Sequence, residues 1–192
     1  MNKVSTKIFK SPVGELLIGI YENQLCLCDW RYRRMRAAID HRICSALRAE
    51  LVEDSHILQD RCIQQLNEYF SGERIQFDLP LLEVGTEFQK CVWDQLRKIP
   101  YSENRSYLWL AEQLQKPQAV RAVASANGAN AISIVTPCHR VIGSDGKLVG
   151  YAGGLPAKAK LLEIEKSTID SRDCYRSTVF RSTLFPMEQM TS

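Results

Sequence analysis

Cys138 stands between a proline and a histidine in the string TPCHRVIG at 136–143, directly after the apolar run AISIV. A cysteine attacks as its thiolate, and a neighbouring imidazole or a positive helix end lowers its pKa from roughly 8.5. His139 is therefore a candidate base for Cys138. Consecutive side chains on a strand point to opposite faces, so the pair cooperates only where the chain turns helically. Pro137 suits the first residue of such a turn, and the turn would aim backbone N–H dipoles at the sulfur. The bland alternative is an inert buried thiol at a strand end. A working histidine also needs an orienting partner. Asp145, Glu163 and Glu165 all follow, and spacing alone does not say which faces inward.

Upstream, Arg121 is set among small residues: Ala119, Ala122, Ala124, Ser125 and Ala126. A helix so thin packs tightly on a neighbour or enters a narrow groove. Arg121 is hard to place in a core and could reach a phosphate or fill a gap in a base stack. Asn127-Gly128-Ala129-Asn130 reads as a helix stop, with Gly128 free to take a positive φ and an asparagine side chain holding the turn. The string GYAGG at 150–154 reads as a flexible loop that lets a ligand approach closely.

These residues need elements to position them. TKIFKS, ELLIGIYE and LCLCDW read as an antiparallel meander, with turns at PVG and NQ. Helical spacing follows over 35–52 and again through HILQDRCIQQLNEYFSGE. RIQFDLPLLEVG is extended, and its Pro80 and Gly85 place a domain boundary near residue 85. Thr86 caps the next helix, TEFQKCVWDQLRKI, which Pro100 ends. SYLWLAEQLQ, capped by Ser106, and KPQAVRAVASANGAN form two short helices with a tight turn, a helix-turn-helix over about 106–127. A short strand at 131–135 leads to Cys138, and AKAKLLEIEKS closes the unit. The expected fold is thus α+β: a small sheet-and-helix domain over 1–85, a mostly helical one over 86–166, and a loosely attached tail over 167–192.

The 192 residues are 45% hydrophobic and carry a net charge of +3. No apolar run approaches the about 20 residues of a membrane span, and the N-terminus lacks an apolar signal region, which suits an intracellular, cytoplasmic protein. The seven cysteines are then reduced thiols. Cys26 and Cys28 would share one face of a strand, but their spacing is short for zinc and no second pair follows; no metal or other cofactor is expected. Residues 1–85 hold 11 Lys and Arg against 12 Asp and Glu, and 86–192 hold 14 against 10. The second part is the better match for a phosphate backbone. RYRRMR at 31–36 reads as a solvated loop or helix start.

The ordered strings SYLWLA, RAVASANGANAISIVTPCHRVIG, GYAGG and LLEIE resemble the O6-alkylguanine-DNA alkyltransferases, most closely the bacterial single-polypeptide type. The resemblance is strong over about 86–166 and general in layout before that. It implies that Cys138 accepts the alkyl group once and irreversibly, His139 takes its proton through a water, and Glu165 orients His139. It implies that Asn130 holds the turn, that Tyr107 rotates the target phosphate and assists the leaving guanine, and that Arg121 fills the gap left by the extruded nucleotide. Ala122, Ser125 and Ala126 would face DNA beside Arg121. Val141, Tyr151, Ala152 and Gly153 would line the base pocket. The partner implied is double-stranded DNA carrying O6-alkylguanine, and also O4-methylthymine, bound by a monomer able to cluster along it. Two positions depart from the family pattern: Ser102 where glycine is common, and Ala131 where many members have proline. A non-catalytic damage sensor with the same helix-turn-helix, and a Cys-His hydrolase, are the competing readings.

Overall fold

The structure is a computed structural model that describes residues 2–182, with side chains through Arg172. Strands β1 (Asn2–Ser11), β2 (Gly14–Tyr21) and β3 (Gln24–Trp30) form the expected antiparallel meander. The second turn falls on Glu22 and Asn23, both at positive φ, one residue earlier than NQ. Two consecutive left-handed residues match the twist of the flanking strands.

Helix α1 (Arg36–Leu47) is shorter than its periodicity promised. Arg48 adopts a left-handed conformation that stops it, and β4 (Ala49–Glu53) pairs parallel with β1, giving the order β3-β2-β1-β4. The apolar residues Leu47 and Leu51 fit a helical period across this break, which hid the strand. Cys26 and Cys28 do not share a face. The register passes from Gly19–Leu27 to Ile20–Leu25 and leaves Cys26 unpaired in a bulge. Cys26 joins the core under α1, whereas Cys28 joins the core under α2 (Ile57–Phe70).

Thr86 caps α3 (Glu87–Arg97) through a reciprocal capping box with Gln89. Ser106 caps α4 (Tyr107–Gln113). A single 3-10 turn, Pro117–Ala119, leads into α5 (Val120–Gly128). A two-residue parallel ladder joins β5 (Arg105–Ser106) to β6 (Val141–Ile142). Val92, Trp93, Leu96, Leu110, Val123 and Cys138 share the core of this helical part. The sheet core extends past α2 to Ile132, Ile134, Ala157 and Leu161, so the two parts are packed together.

Helix α6 (Gly154–Ser182) runs on through the segment expected to be a loose tail. Ser167, Thr168 and Ser171 each donate a hydroxyl to a carbonyl one turn back, which lets polar residues sit within a helix. Arg172 bonds the carbonyls of Gly72 and Glu73 just past α2. Residues 183–192 of the expected tail lie outside the described residues.

Candidate active site

The approach to Cys138 is a chain of tight turns, not the strand expected. Residues 131–133 hold the edge of β3 through one bridge, with Cys28 N–H donating to Ala131 O at 2.9 Å and Ser133 N–H to Cys28 O at 2.6 Å. The chain then leaves the strand direction at Ile134, a β-branched residue at φ +72°. Val135 N–H closes back on Ser133 O at 2.9 Å, the hydrogen bond of a strained γ-turn. Pro137, at φ −82° and ψ 62°, forms the inverse form, closed by Cys138 N–H to Thr136 O at 2.8 Å. The 3-10 turn Cys138–Arg140 follows, so the chain does turn helically at the Cys-His pair.

Asn130 holds these turns together. Its Oδ1 accepts from Ile132 N–H at 2.9 Å, and its Nδ2 donates to Thr136 O at 2.9 Å and to Cys138 Sγ at 3.2 Å. The donor at the sulfur is thus the Asn130 amide. The Cys138 and Arg140 N–H groups are spent on Thr136 and Pro137 carbonyls, so the expected aim of turn dipoles is replaced by a side chain. Burial pushes the Cys138 thiol up, against the lowering effect of the Asn130 bond. The resting sulfur is therefore a protonated thiol.

His139 and Glu165 are both fully buried and meet at 2.7 Å, Nε2 to Oε1. Asp145 and Glu163 instead pair with surface lysines. Oε1 of Glu165 also accepts from Tyr69 Oη at 2.8 Å and Arg140 Nη2 at 3.0 Å; Oε2 accepts from Arg140 Nε at 3.0 Å and Ser102 N–H at 2.9 Å. Burial raises the Glu165 pKa, but His139 and Arg140 outweigh it and hold the carboxyl down at about 2. An ionised carboxylate only accepts, so His139 Nε2 carries the proton and donates. Burial pulls the His139 pKa below its ordinary value, with Glu165 opposing. The ring is neutral, and Nδ1 keeps a lone pair with no partner.

Cys138 opens on a cavity of about 520 Å³. Tyr107 and Asn127 line one side, Tyr151 and Ala152 another, and Arg121 stands exposed among the lining residues. Burial, then Cys138, raises the Tyr107 phenol to about 12, so it remains a proton donor. Not every expected residue lines this space. Val141 lies fully buried in the helical core beside Cys138. Gly153 faces away, flat against Trp30. Ala122 and Ser125 are exposed on α5, but Ala126 is buried and its carbonyl accepts from Trp93 Nε1 at 2.8 Å. Gly128 has no positive φ, and α5 ends on Ala129 in a right-handed conformation.

The end of α5 is held from outside. Arg33 donates to the carbonyls of Gly128 and Asn130 (3.0 Å to Asn130), and Arg42 to Ala129 O at 2.7 Å. Cations at a helix C-terminus meet its orphan carbonyls and favour its dipole. Arg33 is 8% exposed and pairs with the fully buried Asp29 at 2.7 Å, so RYRRMR is only partly the solvated segment expected. Lys158 was not anticipated either. It is fully buried, and its Nζ ties Val141 O at 2.6 Å to Val149 O at 2.8 Å, spanning the loop before the GYAGG string. Burial draws its pKa down to about 8. Among the described residues no group of three His, Cys, Asp or Glu could hold a metal ion, and no helix is long and apolar enough to cross a membrane.

Two family models match the chain: the DNA binding domain of 6-O-methylguanine DNA methyltransferase over residues 87–167 and its ribonuclease-like domain over 4–82. A methylated-DNA–protein-cysteine methyltransferase of Methanosarcina barkeri is 43% identical over 162 residues, 84% of this chain and 97% of that protein. One from Mycobacterium tuberculosis is 55% identical over 105 residues, 55% of this chain and 64% of that protein. A crystal structure of M. tuberculosis OGT in complex with DNA superposes with a TM-score of 0.73 at 39% identity, covering 85% of this chain and 94% of that one. With a relative matched along almost its whole length and both domain models in order, the chain belongs to the methylated-DNA–protein-cysteine methyltransferase family.

Proposed function

We propose that the protein repairs DNA by moving the alkyl group of O6-methylguanine onto Cys138, once per molecule. The observation that carries this is the placement of Cys138 Sγ at the 520 Å³ cavity, beside the buried His139–Glu165 pair. In the transfer, the S–H proton passes through a bridging water to the free Nδ1 of His139. Sulfur bonds the methyl carbon, the carbon–oxygen bond breaks, and guanine leaves with the electron pair. Tyr107 protonates the departing base and recovers a proton from His139, so the balance closes on methyl-cysteine and guanine. A thioether is inert to water, so no turnover follows.

A base inside a duplex cannot reach a sulfur in a cavity. Extruding it costs a few kcal/mol, about what is usual for base flipping. Helix α5 of the helix-turn-helix presents Arg121, Ala122 and Ser125 outward. Arg121 entering the stack offsets part of that cost. O4-methylthymine presents the same electrophilic carbon and is a second substrate on this reading. A purely DNA-binding role has less support, because a sensor requires neither a thiol and a phenol lining one cavity nor a tautomer-fixed imidazole buried next to that thiol.

Intact mass after mixing with an O6-methylguanine duplex should rise by one methylene, lost in Cys138→Ser. An unchanged mass for fresh reduced protein would sink the reading. Arg121→Ala should slow duplex repair at least tenfold while leaving reaction with the free modified base near the original rate. Equal losses would contradict a wedge.

A further inference from the structure

We propose that Trp30, a residue of the N-terminal sheet, determines which alkyl groups the cavity admits by fixing how closely the 150–154 lid stands over Cys138. This rests on the alkyl-acceptor reading above. Trp30 ends β3 and is 4% exposed. Its indole meets the Tyr151 ring edge-on, with centroids 5.7 Å apart and planes at 73°. Gly153 lies so close to the indole that a Cβ there would stand 2.3, 2.5 and 2.7 Å from three ring atoms. Gly14, in the β1–β2 turn, comes close to the benzo edge of the same ring, where a Cβ would stand 3.3 Å from Cζ3. The indole is thus fixed against the hairpin and supports the lid.

The lid is a thin wall between two spaces. Tyr151 and Ala152 line the 520 Å³ cavity at Cys138. Ala152, Gly153 and Gly154 line a second hollow of about 340 Å³, shared with Trp30 and Gly14. Gly150 and Gly154, at φ +35° and +84°, give the wall left-handed joints at both ends. Trp30 Nε1 and Tyr151 Oη make no hydrogen bond of good geometry, although the indole N–H lies near enough to act on the Tyr151 phenol, lowering it against burial. The fit of the indole on Tyr151 and Gly153 is therefore the main hold on the seam. A wall with free joints and room behind it stops where the indole stops it. Removing the indole lets the wall retreat and deepens the cavity. Adding a methyl to Gly153 drives it forward.

The test compares transfer rates from O6-benzylguanine and O6-methylguanine in one duplex context. Trp30→Ala should raise the benzyl-to-methyl ratio about tenfold, the scale on which pocket size discriminates. Trp30→Phe, which keeps a ring against Gly153, should stay within about threefold of the original ratio. Gly153→Ala should lower the ratio, and Trp30→Ala with Gly153→Ala should return it toward the starting value. If Trp30→Ala does not fold, Trp30→Leu replaces it in both comparisons. The proposal is overturned if both rates fall together and the ratio holds, or if Gly153→Ala acts alike with and without the indole. Failure of the unaltered protein to react with the methyl substrate would instead remove the function itself.

Discussion

Cys138 and His139 are neighbours in the chain, yet the two sides of the molecule they face are built on opposite principles. The sulfur looks onto an open, mostly apolar space and has one polar contact, Asn130 Nδ2 at 3.2 Å. The imidazole looks onto a carboxylate saturated by Tyr69, Arg140, Ser102 N–H and His139 itself. A buried ion pair gains little net stability against an apolar replacement, but breaking one by removing a partner is severe. The saturated side therefore fixes one tautomer and one position. The sparse side leaves the thiol protonated and available, and on the proposed reading it is the side that is consumed. The proposed single transfer would spend the nucleophile, but it needs the proton path ready beforehand.

Glu165→Gln attacks the saturated side and should have the largest effect. It leaves Arg140 buried without its counter-charge, a loss of about 3–5 kcal/mol, and it frees the His139 tautomer, slowing transfer at least a hundredfold. Thermal melting and single-turnover rates read the two effects. An active, stable variant would show that the network is ornamental. Asn130→Ala attacks the sparse side. It orphans the Ile132 N–H, at about 1–3 kcal/mol, takes one of two donors from Thr136 O, and removes the donor at sulfur. Its rate loss should exceed that of a mutant destabilised equally elsewhere.

The pH profile separates the two sides further. His139 is held below the ordinary imidazole range by burial. The transfer rate should then stay level as pH falls through 6.5 and drop only below it. The unfolded imidazole takes up its proton first, so acid starts to erode stability just below that pH. Glu165, held at about 2, adds a further loss as pH falls from 4.5 toward 2. A rate that halves near 6.5 would mean an ordinary, solvated imidazole. The smallest effect is at Ser102, a non-glycine residue at φ +67° whose N–H reaches Glu165. Ser102→Gly relieves roughly 1–2 kcal/mol of left-handed strain and adds roughly 0.4–1 kcal/mol of unfolded-state entropy, a net gain of about 0.5 kcal/mol in denaturant melts.

Much of the sparse side could be read in the chain. Pro137 before Cys138 announced a turn, and Asn130 stood where a turn needs a local hydrogen-bonding side chain. Thr86 and Ser106 announced the helices whose core Cys138 joins. The saturated side was mostly hidden. Tyr69 and Arg140 gave no local signal, because a buried ion network joins residues far apart in sequence and periodicity sees only neighbours. Arg33 looked solvated for the same reason: the carbonyls it meets lie at 128 and 130. β4 escaped notice because five residues continuing a helical period look like more helix. The resemblance implies that Gly153 lines the pocket with the rest of its loop, whereas the indole of Trp30 fills the space on its Cβ side.

On the proposed reading the sulfur of Cys138 is spent once while the His139–Glu165 side stays intact. Incubation with a molar excess of O6-methylguanine duplex, followed by peptide mapping and quantification of repaired DNA, tests it directly. One methyl per chain, confined to Cys138, with repaired DNA equal to protein, is the predicted result. Repaired DNA in excess of protein, or methyl on another residue, would contradict it.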